Sequence, residues 1–549
     1  MDNVYKIRTI FVYFAFLALY LTIIFNLFII QIKHTNFFAN LGEKQYTITI
    51  TQTPSRAPIF DRHGNTLATN KESLAAFTLP RAMINKKATQ NFLHKFFPDA
   101  YKRFNQAQDK HFIYIKRKLM EHEIELINKH SLEDIKILSE PNRFYPLEAA
   151  STLVGITDID NNGLCGIELT KNKYLAGIPS KFTLKKDARL NYFTIEKTTN
   201  VPGAQGEPIT LTIDGTLQFL ALEELKETIE QFHAEDGGVI IMDPKSGEIL
   251  AMTTYPSFDP NNTTNLDIET MKNRCIANVY EFGSVMKVFA AMAALEENLV
   301  TIDEIIDCEN ANTTIIDGIR VNTSHPHSVI PFGEVIEKSN NIGIAKVALR
   351  LGNRLYEHYL RVGFGKKTGI SLPGEQSGFI NSPKTWSRKS IFSLSYGYEI
   401  SSTLLQLACA FSLIANGGYL VKPIIVIDSK LNTIPPLICP IQLYKTSTIK
   451  EIRSILEKTV LHGTAWRAKL NDYNIMGKTG TANLLNDGVY DHTRDIYTFA
   501  GIIEKDNYQR VIVTYVKNVP DNKHLFAAHV VAPLFRKIAE KMIIHDKVL

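Results

Sequence analysis

The stretch EFGSVMKVFA, Glu281 to Ala290, sets a serine three residues ahead of a lysine, with a glycine just before the serine. The residues after Lys287, VFAAMAALEEN, are alanine-rich and strongly helix-forming. A serine in the first turn of such a helix shares one face with a lysine three residues on. Its hydroxyl sits where unpaired backbone N–H groups concentrate positive potential. That potential, with partial burial, favours a neutral lysine that takes a proton from the hydroxyl. A plain helix N-cap accounts for Ser284 equally well. Taken alone the two readings weigh the same. The spacing also recurs at Ser447-Thr448-Ile449-Lys450, in a polar stretch that looks like a helix N-cap with solvated lysines.

Two companions break the tie. Ser339-Asn340-Asn341 is the only place where Asn stands two residues after Ser. It offers a hydroxyl able to relay a proton and an amide able to hold a carbonyl. GKTGTANLL, Gly477 to Leu485, alternates a lysine, two hydroxyls and a small glycine along a β-like segment. A substrate backbone has room to lie beside it. Lys478 supplies charge for an anionic end, and Thr479 and Thr481 supply hydrogen bonds. A second Lys-Thr-Gly, Lys367 to Gly369, runs straight into Leu372-Pro373-Gly374, which ends any strand. That one is expected to be a structural loop.

The 549 residues exceed one ordinary core and point to two or three domains. An apolar share of 45% and a charged share of 21% belong to a folded protein. A net charge of +5 without a long Lys/Arg block argues against nucleic-acid binding. The five cysteines, Cys165, Cys275, Cys308, Cys409 and Cys439, lack CxxC spacing. Neither a zinc site nor a disulfide framework is indicated, and all five are expected as small buried hydrophobes.

Thr9 to Ile30 is a run of 22 uncharged residues, long enough to cross a bilayer core as a helix. Lys6 and Arg8 precede it, which places the N-terminus in the cytoplasm and the remainder beyond the membrane. No small-x-small cleavage site follows, so an uncleaved anchor is favoured over a signal peptide. Residues 41–200 mix β-like runs such as Tyr46–Thr53 with stretches such as His111–His130 that look helical. NVPGAQGEP, Asn200 to Pro208, has the composition of a linker or domain edge. Beyond it come a strand, a turn at Asp214-Gly215 and an amphipathic helix. Gly237–Tyr255 forms a hairpin, a second hairpin turns around Glu504–Gln509, and a helix closes the chain. Strands at both ends of a helical middle predict an α+β domain whose sheet joins its terminal segments.

Ser284-Val285-Met286-Lys287, Ser339-Asn340-Asn341 and Lys478-Thr479-Gly480, in that order and 55 and then 139 residues apart, resemble the three signatures of penicillin-binding proteins and serine β-lactamases. SRAPIFDRHGNTLATN (Ser55–Asn70) and RFYPLEAASTLVGITDIDNNGLCGIE (Arg143–Glu168) resemble the non-catalytic domain of class B members. MDPKSGEILAMTTYPSFDPN (Met242–Asn261) is similar to the start of their catalytic domain. Ala57, Phe282 and the VMK of 285–287 depart from the usual Gly, Pro and TFK, and remove no chemical group the mechanism needs. GFGKKTGISLPGE and SLSYGYEISSTLLQLACAFSLIANGG look most like the division-specific transpeptidase of Gram-negative bacteria; the elongation-specific relative shares most of these motifs.

The resemblance implies a cytoplasmic tail (1–8), a transmembrane helix (9–32), an elongated mixed pedestal (33–205) and a transpeptidase domain (206–549) with an antiparallel sheet, flanking helices and an all-helical subdomain. It implies acyl transfer from stem peptides ending in D-Ala-D-Ala, without metal or organic cofactor, and trapping by β-lactams. Ser284 is the implied nucleophile, Lys287 its base, and Ser339 the relay, helped by Lys478. Asn341, Thr479, Gly480 and Thr481 hold the donor, and the backbone N–H groups of Ser284 and Thr481 form the oxyanion hole. The implied partners are a membrane glycan-polymerising glycosyltransferase and other division proteins, and the implied site is the inner membrane with the catalytic domain in the periplasm. A β-lactamase, a β-lactam sensor and a carboxypeptidase share the chemistry; a catalytically silent scaffold is the alternative of another class.

Overall fold

The computed structural model describes residues 2–52, 54–106, 110, 112–186, 192–193, 199–201, 203–427, 438–486, 488–520 and 525–548. Thr53 in the first β-like run, Pro202 in the expected linker and the side chain of Cys439 lie outside the described residues. The chain divides into two compact units, Met1–Ser55 with Ala176–Gly206, and Arg56–Leu175 with Glu207–Leu549.

In the first unit a helix over Asp2–Phe28 runs on through a wider turn at Ile29–Lys33. Val4–Lys33 is apolar and none of its most apolar window is buried against protein, unlike the core helix of a soluble domain. Thirty residues at about 1.5 Å each exceed the roughly 30 Å of a bilayer core. Thr47–Gln52 pairs antiparallel with Ser180–Lys186, which also pairs with Tyr192–Phe193 and Thr199–Val201.

The second unit is built on a five-stranded antiparallel sheet. Its strands are β1 (Asp236–Met242), β2 (Ile249–Tyr255), β3 (Asn474–Asn486), β4 (Val489–Lys505) and β5 (Tyr508–Lys517), in the order β2-β1-β5-β4-β3. The expected joining of the first and last strands is the β1–β5 pairing, Gly238 opposite Tyr515. Every residue of β1 is buried, because helices cover both faces. Val239 and Ile241 point to α1 (Gly215–Phe232) and to the C-terminal helix, while Ile240 and Met242 join the opposite core. That opposite core holds α2 (Lys287–Glu296), α3 (Asn341–Leu351), α4 (Leu404–Ala415) and α5 (Thr446–Leu461). The C-terminal helix, α6 (Ala527–Val548), packs Phe535 against Phe499 of β4, with ring centroids 4.6 Å apart and the planes tilted by 54°. Asp214 caps α1 by accepting from the N–H groups of Thr216 and Leu217.

A six-stranded sheet in the same unit runs Val426–Ile427, Ile209–Leu211, Ile59–Phe60, Thr66–Thr78 and Ile113–Lys116, with Lys136–Phe144 also paired to Thr66–Thr78. Glu168 in the same unit, fully buried, accepts from Arg56 Nε at 2.6 Å and from Arg143 Nε at 2.7 Å.

Two expectations need correction. His111 lies outside the described residues, and the rest of the stretch expected to be helical through His130 is not one helix: Ile113–Lys116 is a strand and the helix covers Glu121–His130. Ile113 and Ile115 alternate into the core, a period of two that stiff β-branched side chains favour. Cys275, Cys308 and Cys409 are buried and free, but Cys165 is only half-buried. It occupies a surface turn held by backbone packing, where a Cβ on Gly155 would lie 2.0 Å from its carbonyl oxygen.

Candidate active site

Ser284 lies in a tight 3-10 turn, Gly283–Met286, that leads directly into α2. Three residues per turn eclipse positions i and i+3, so Ser284 and Lys287 stand one above the other. Lys287 Nζ donates to Ser284 Oγ at 3.0 Å. From Lys287 to Leu295 every residue of α2 is buried, which draws the whole lysine side chain out of water with its Nζ against the serine turn.

The second segment arrives from the helical side. Phe332–Glu337 is a short helix, and the chain turns at Ser339 before α3 starts at Asn341. Ser339 adopts φ +59°, a left-handed conformation that a side chain rarely takes. Buried Asn340 holds the turn: its Oδ1 accepts from Gly343 N at 2.9 Å and its Nδ2 donates to His325 O at 3.0 Å. Lys287 Nζ donates to Ser339 O at 2.6 Å and to Ser339 Oγ at 3.1 Å. Asn341 spends one amide hydrogen on Asn322 O at 2.7 Å.

The third segment is β3, an edge strand of the five-stranded sheet. Lys478 Nζ donates to Ser339 Oγ at 3.1 Å and to its neighbour's carbonyl, Thr479 O, at 3.1 Å. Gly480 has to be glycine, since a Cβ there would meet Phe282 O at 2.2 Å. The serine turn and β3 thus touch through their backbones, and a Cβ on Gly283 would lie 2.6 Å from Thr481 O. Gly397, at φ +92°, presses on the turn from the other side; a Cβ would fall 1.9 Å from Gly283 O. Thr481 Oγ1 accepts from Ala527 N at the start of α6, at 3.3 Å.

Both lysines are 0% exposed, and each is hydrogen-bonded only to hydroxyl and carbonyl oxygens among the described residues. Without a carboxylate to offset lost hydration, the charged form is disfavoured. Burial, and then the nearby charge of Lys478, hold Lys287 well below the usual lysine range. Burial alone brings Lys478 down to about 7. One ammonium disfavours a second beside it, so the pair carries a single proton more readily than two.

The groups meet at a cleft of about 750 Å³ lined by Ser284, Ser339, Asn341, Thr479 and Thr481. Thr464, His325, Tyr398, Trp466 and Phe526 also line it, and motif reading did not single them out. Only Thr464, one residue after Gly463 and just beyond the polar helix of the second Ser-x-x-Lys, carried a local signal in the form of a small-residue turn. That second Ser-x-x-Lys is no rival: Ser447 is exposed in the first turn of α5. It does not cap α5 as expected, because the helix starts after Lys445 without a side-chain cap. Thr368 and Gly369 form the expected structural loop, their N–H groups bound by the Glu375 carboxylate.

The penicillin binding protein transpeptidase domain family matches residues 237–540, and the penicillin-binding protein dimerisation domain family matches residues 51–211. The chain is 28% identical over 540 residues to a probable peptidoglycan D,D-transpeptidase, PenA, of Neisseria meningitidis, covering 97% of this chain and 91% of the relative. It is 29% identical over 497 residues to the peptidoglycan D,D-transpeptidase FtsI of Escherichia coli, covering 88% of this chain and 82% of the relative. A crystal structure of penicillin-binding protein 3 from Mycobacterium tuberculosis, complexed with aztreonam, superposes with a TM-score of 0.69 at 26% identity, over 91% of this chain and 98% of that one. With the serine, the two buried lysines and the second serine gathered at one cleft, and both families matched in the expected order, the chain belongs to the class B penicillin-binding proteins.

Proposed function

We propose that this protein is a serine-type peptidoglycan D,D-transpeptidase that cross-links stem peptides during septal wall synthesis. The observation that carries the reading is the convergence of Lys287 Nζ and Lys478 Nζ on Ser339 Oγ, with Lys287 also on Ser284 Oγ, all within 3.1 Å. Two amines stripped of water and one relay hydroxyl are what a serine needs to become a nucleophile.

In the first step neutral Lys287 takes the Ser284 proton as Oγ attacks the penultimate D-Ala carbonyl. The oxyanion forms against the backbone N–H groups of Ser284 and Thr481. The proton passes through Ser339 to the leaving D-Ala nitrogen as its C–N bond breaks. Lys478, still charged, and the hydroxyls of Thr479 and Thr481 hold the terminal carboxylate, Gly480 leaves the backbone room, and Asn341 holds the donor's amide. In the second step an amine of a neighbouring strand attacks the ester, and its proton returns through the same groups to Ser284. A β-lactam presents an amide and a carboxylate in the same relation, so it acylates Ser284 and stays there.

The apolar helix supports a single-pass anchor, with the tail at 1–8 in the cytoplasm and residues beyond 33 in the periplasm. We assign residues 33–205 to a pedestal and 206–549 to catalysis, with a membrane glycan-polymerising glycosyltransferase as the partner that makes the strands to be joined. Kinship to FtsI supports the transpeptidase reaction, and the GFGKKTGISLPGE and SLSYGYEISSTLLQLACAFSLIANGG motifs support the septal role. A fluorescent penicillin tests the chemistry: Ser284→Ala loses covalent labelling while Ser447→Ala keeps it. The reverse pattern overturns the reading. Depletion tests the cellular role, with filamentous cells expected; cells that round up place the protein in sidewall growth instead.

A further inference from the structure

Thr464 is a cleft residue that the mechanism above leaves without a task, and its hydroxyl meets one that the mechanism uses. It follows the C-terminal end of α5, in a turn closed by Ala465 N donating to Thr459 O at 3.1 Å. Gly463 makes the turn possible, since a Cβ there would lie 2.6 Å from Glu337 O. The turn therefore sits against the short helix that precedes Ser339, and points the Thr464 hydroxyl at β3. Thr464 Oγ1 is 3.0 Å from Thr479 Oγ1.

A hydroxyl has one proton and two acceptor sites. If Thr479 gives its proton to Thr464, it faces the cleft with lone pairs, which repel a carboxylate. If Thr464 donates to Thr479, the Thr479 proton is free to point into the cleft. Thr479 is only 7% exposed, so water is a poor substitute for that second hydroxyl. Donation from Thr464 also polarises the Thr479 O–H and strengthens the bond it makes to an anion. We propose that Thr464 is a positioning residue for anion recognition: it donates to Thr479 and so aims the Thr479 proton at the carboxylate of the donor. This rests on the acyl-transfer reading of the cleft, and it ties carboxylate selectivity to a turn at the end of α5 rather than to β3 alone.

The test compares acylation by benzylpenicillin, which carries the carboxylate, and by its methyl ester, which does not. Second-order acylation rates are read by intact mass for the full chain in detergent, as wild type, Thr464→Val and Thr464→Ser. Losing one cooperative hydrogen bond to an anion predicts about a five-fold slower reaction of Thr464→Val with benzylpenicillin. The rate with the methyl ester is expected to be unchanged, and Thr464→Ser is expected to restore the benzylpenicillin rate. An equal loss on both compounds means that Thr464 only supports the turn and overturns the proposal. No loss on either also overturns it. A wild-type chain acylated by neither compound removes the acyl-transfer reading, and this inference falls with it.

Discussion

The contact between Gly397 and the serine turn gives a sharp test of how tightly Ser284 is held. An alanine Cβ at position 397 would stand 1.9 Å from Gly283 O, whereas real Cβ contacts essentially never fall below 3.0 Å. Both partners are backbone, so the strain cannot relax by a side-chain rotation. The two segments have to part by about 1.1 Å. Gly283 is bonded to Ser284, and a shift of that size breaks the 3.0 Å approach of Lys287 Nζ to Ser284 Oγ. Misplacing a reacting group by about 1 Å costs on the order of 100-fold in rate. The left-handed backbone at φ +92° adds about 1–2 kcal/mol of strain to Gly397→Ala. Gly374→Ala is the matched control, because Gly374 has φ +84° and nothing within 4 Å of a Cβ. We expect both variants to melt a few degrees early and only Gly397→Ala to lose about 100-fold in acylation by fluorescent penicillin, followed as a time course. Gly397→Ala acylating within about three-fold of Gly374→Ala would refute the argument that the turn is wedged into register.

Three further outcomes follow from the buried charges. Lys287→Ala is expected to slow acylation by orders of magnitude with little change in melting temperature, and a near-normal rate would remove Lys287 as the base. Acylation by an anionic β-lactam should be bell-shaped in pH. Lys287 has its proton affinity pushed down, so it is neutral until pH falls well under the usual lysine range, and the acid limb marks its protonation. Lys478 loses its charge as pH rises past about 7, which sets the basic limb in the free enzyme. A basic limb displaced to the ordinary lysine range would contradict the burial argument. Glu168→Gln should destabilise the second unit by about 3–5 kcal/mol, because it leaves the guanidiniums of Arg56 and Arg143, 1% and 2% exposed, without their counter-charge. Unchanged thermal unfolding would rule that network out as a stabilising element.

Ser284, Lys287, Ser339, Asn341 and Lys478 were legible in the chain because local chemistry marks them: a glycine-led serine three residues from a lysine, a lone Ser-x-Asn and a lysine on a strand of small residues. The hairpins and the closing helix were legible for the same reason, since periodicity and turn residues act over a few positions. The strand at Ile113–Lys116 was missed because a charged surface hid its two-residue period, and only pairing to Thr66–Thr78 decides it. The apolar anchor is likewise a property of the sequence itself. Sequence alone left Ser447 and Lys367 as decoys, and it gave no reason to look at Gly397 or Tyr398. Tertiary structure decided those, because a proton affinity depends on how much water a fold removes, and a relay depends on distances between groups 55 and 139 residues apart. Neither quantity exists until α2, the Ser339 turn and β3 pack against one another.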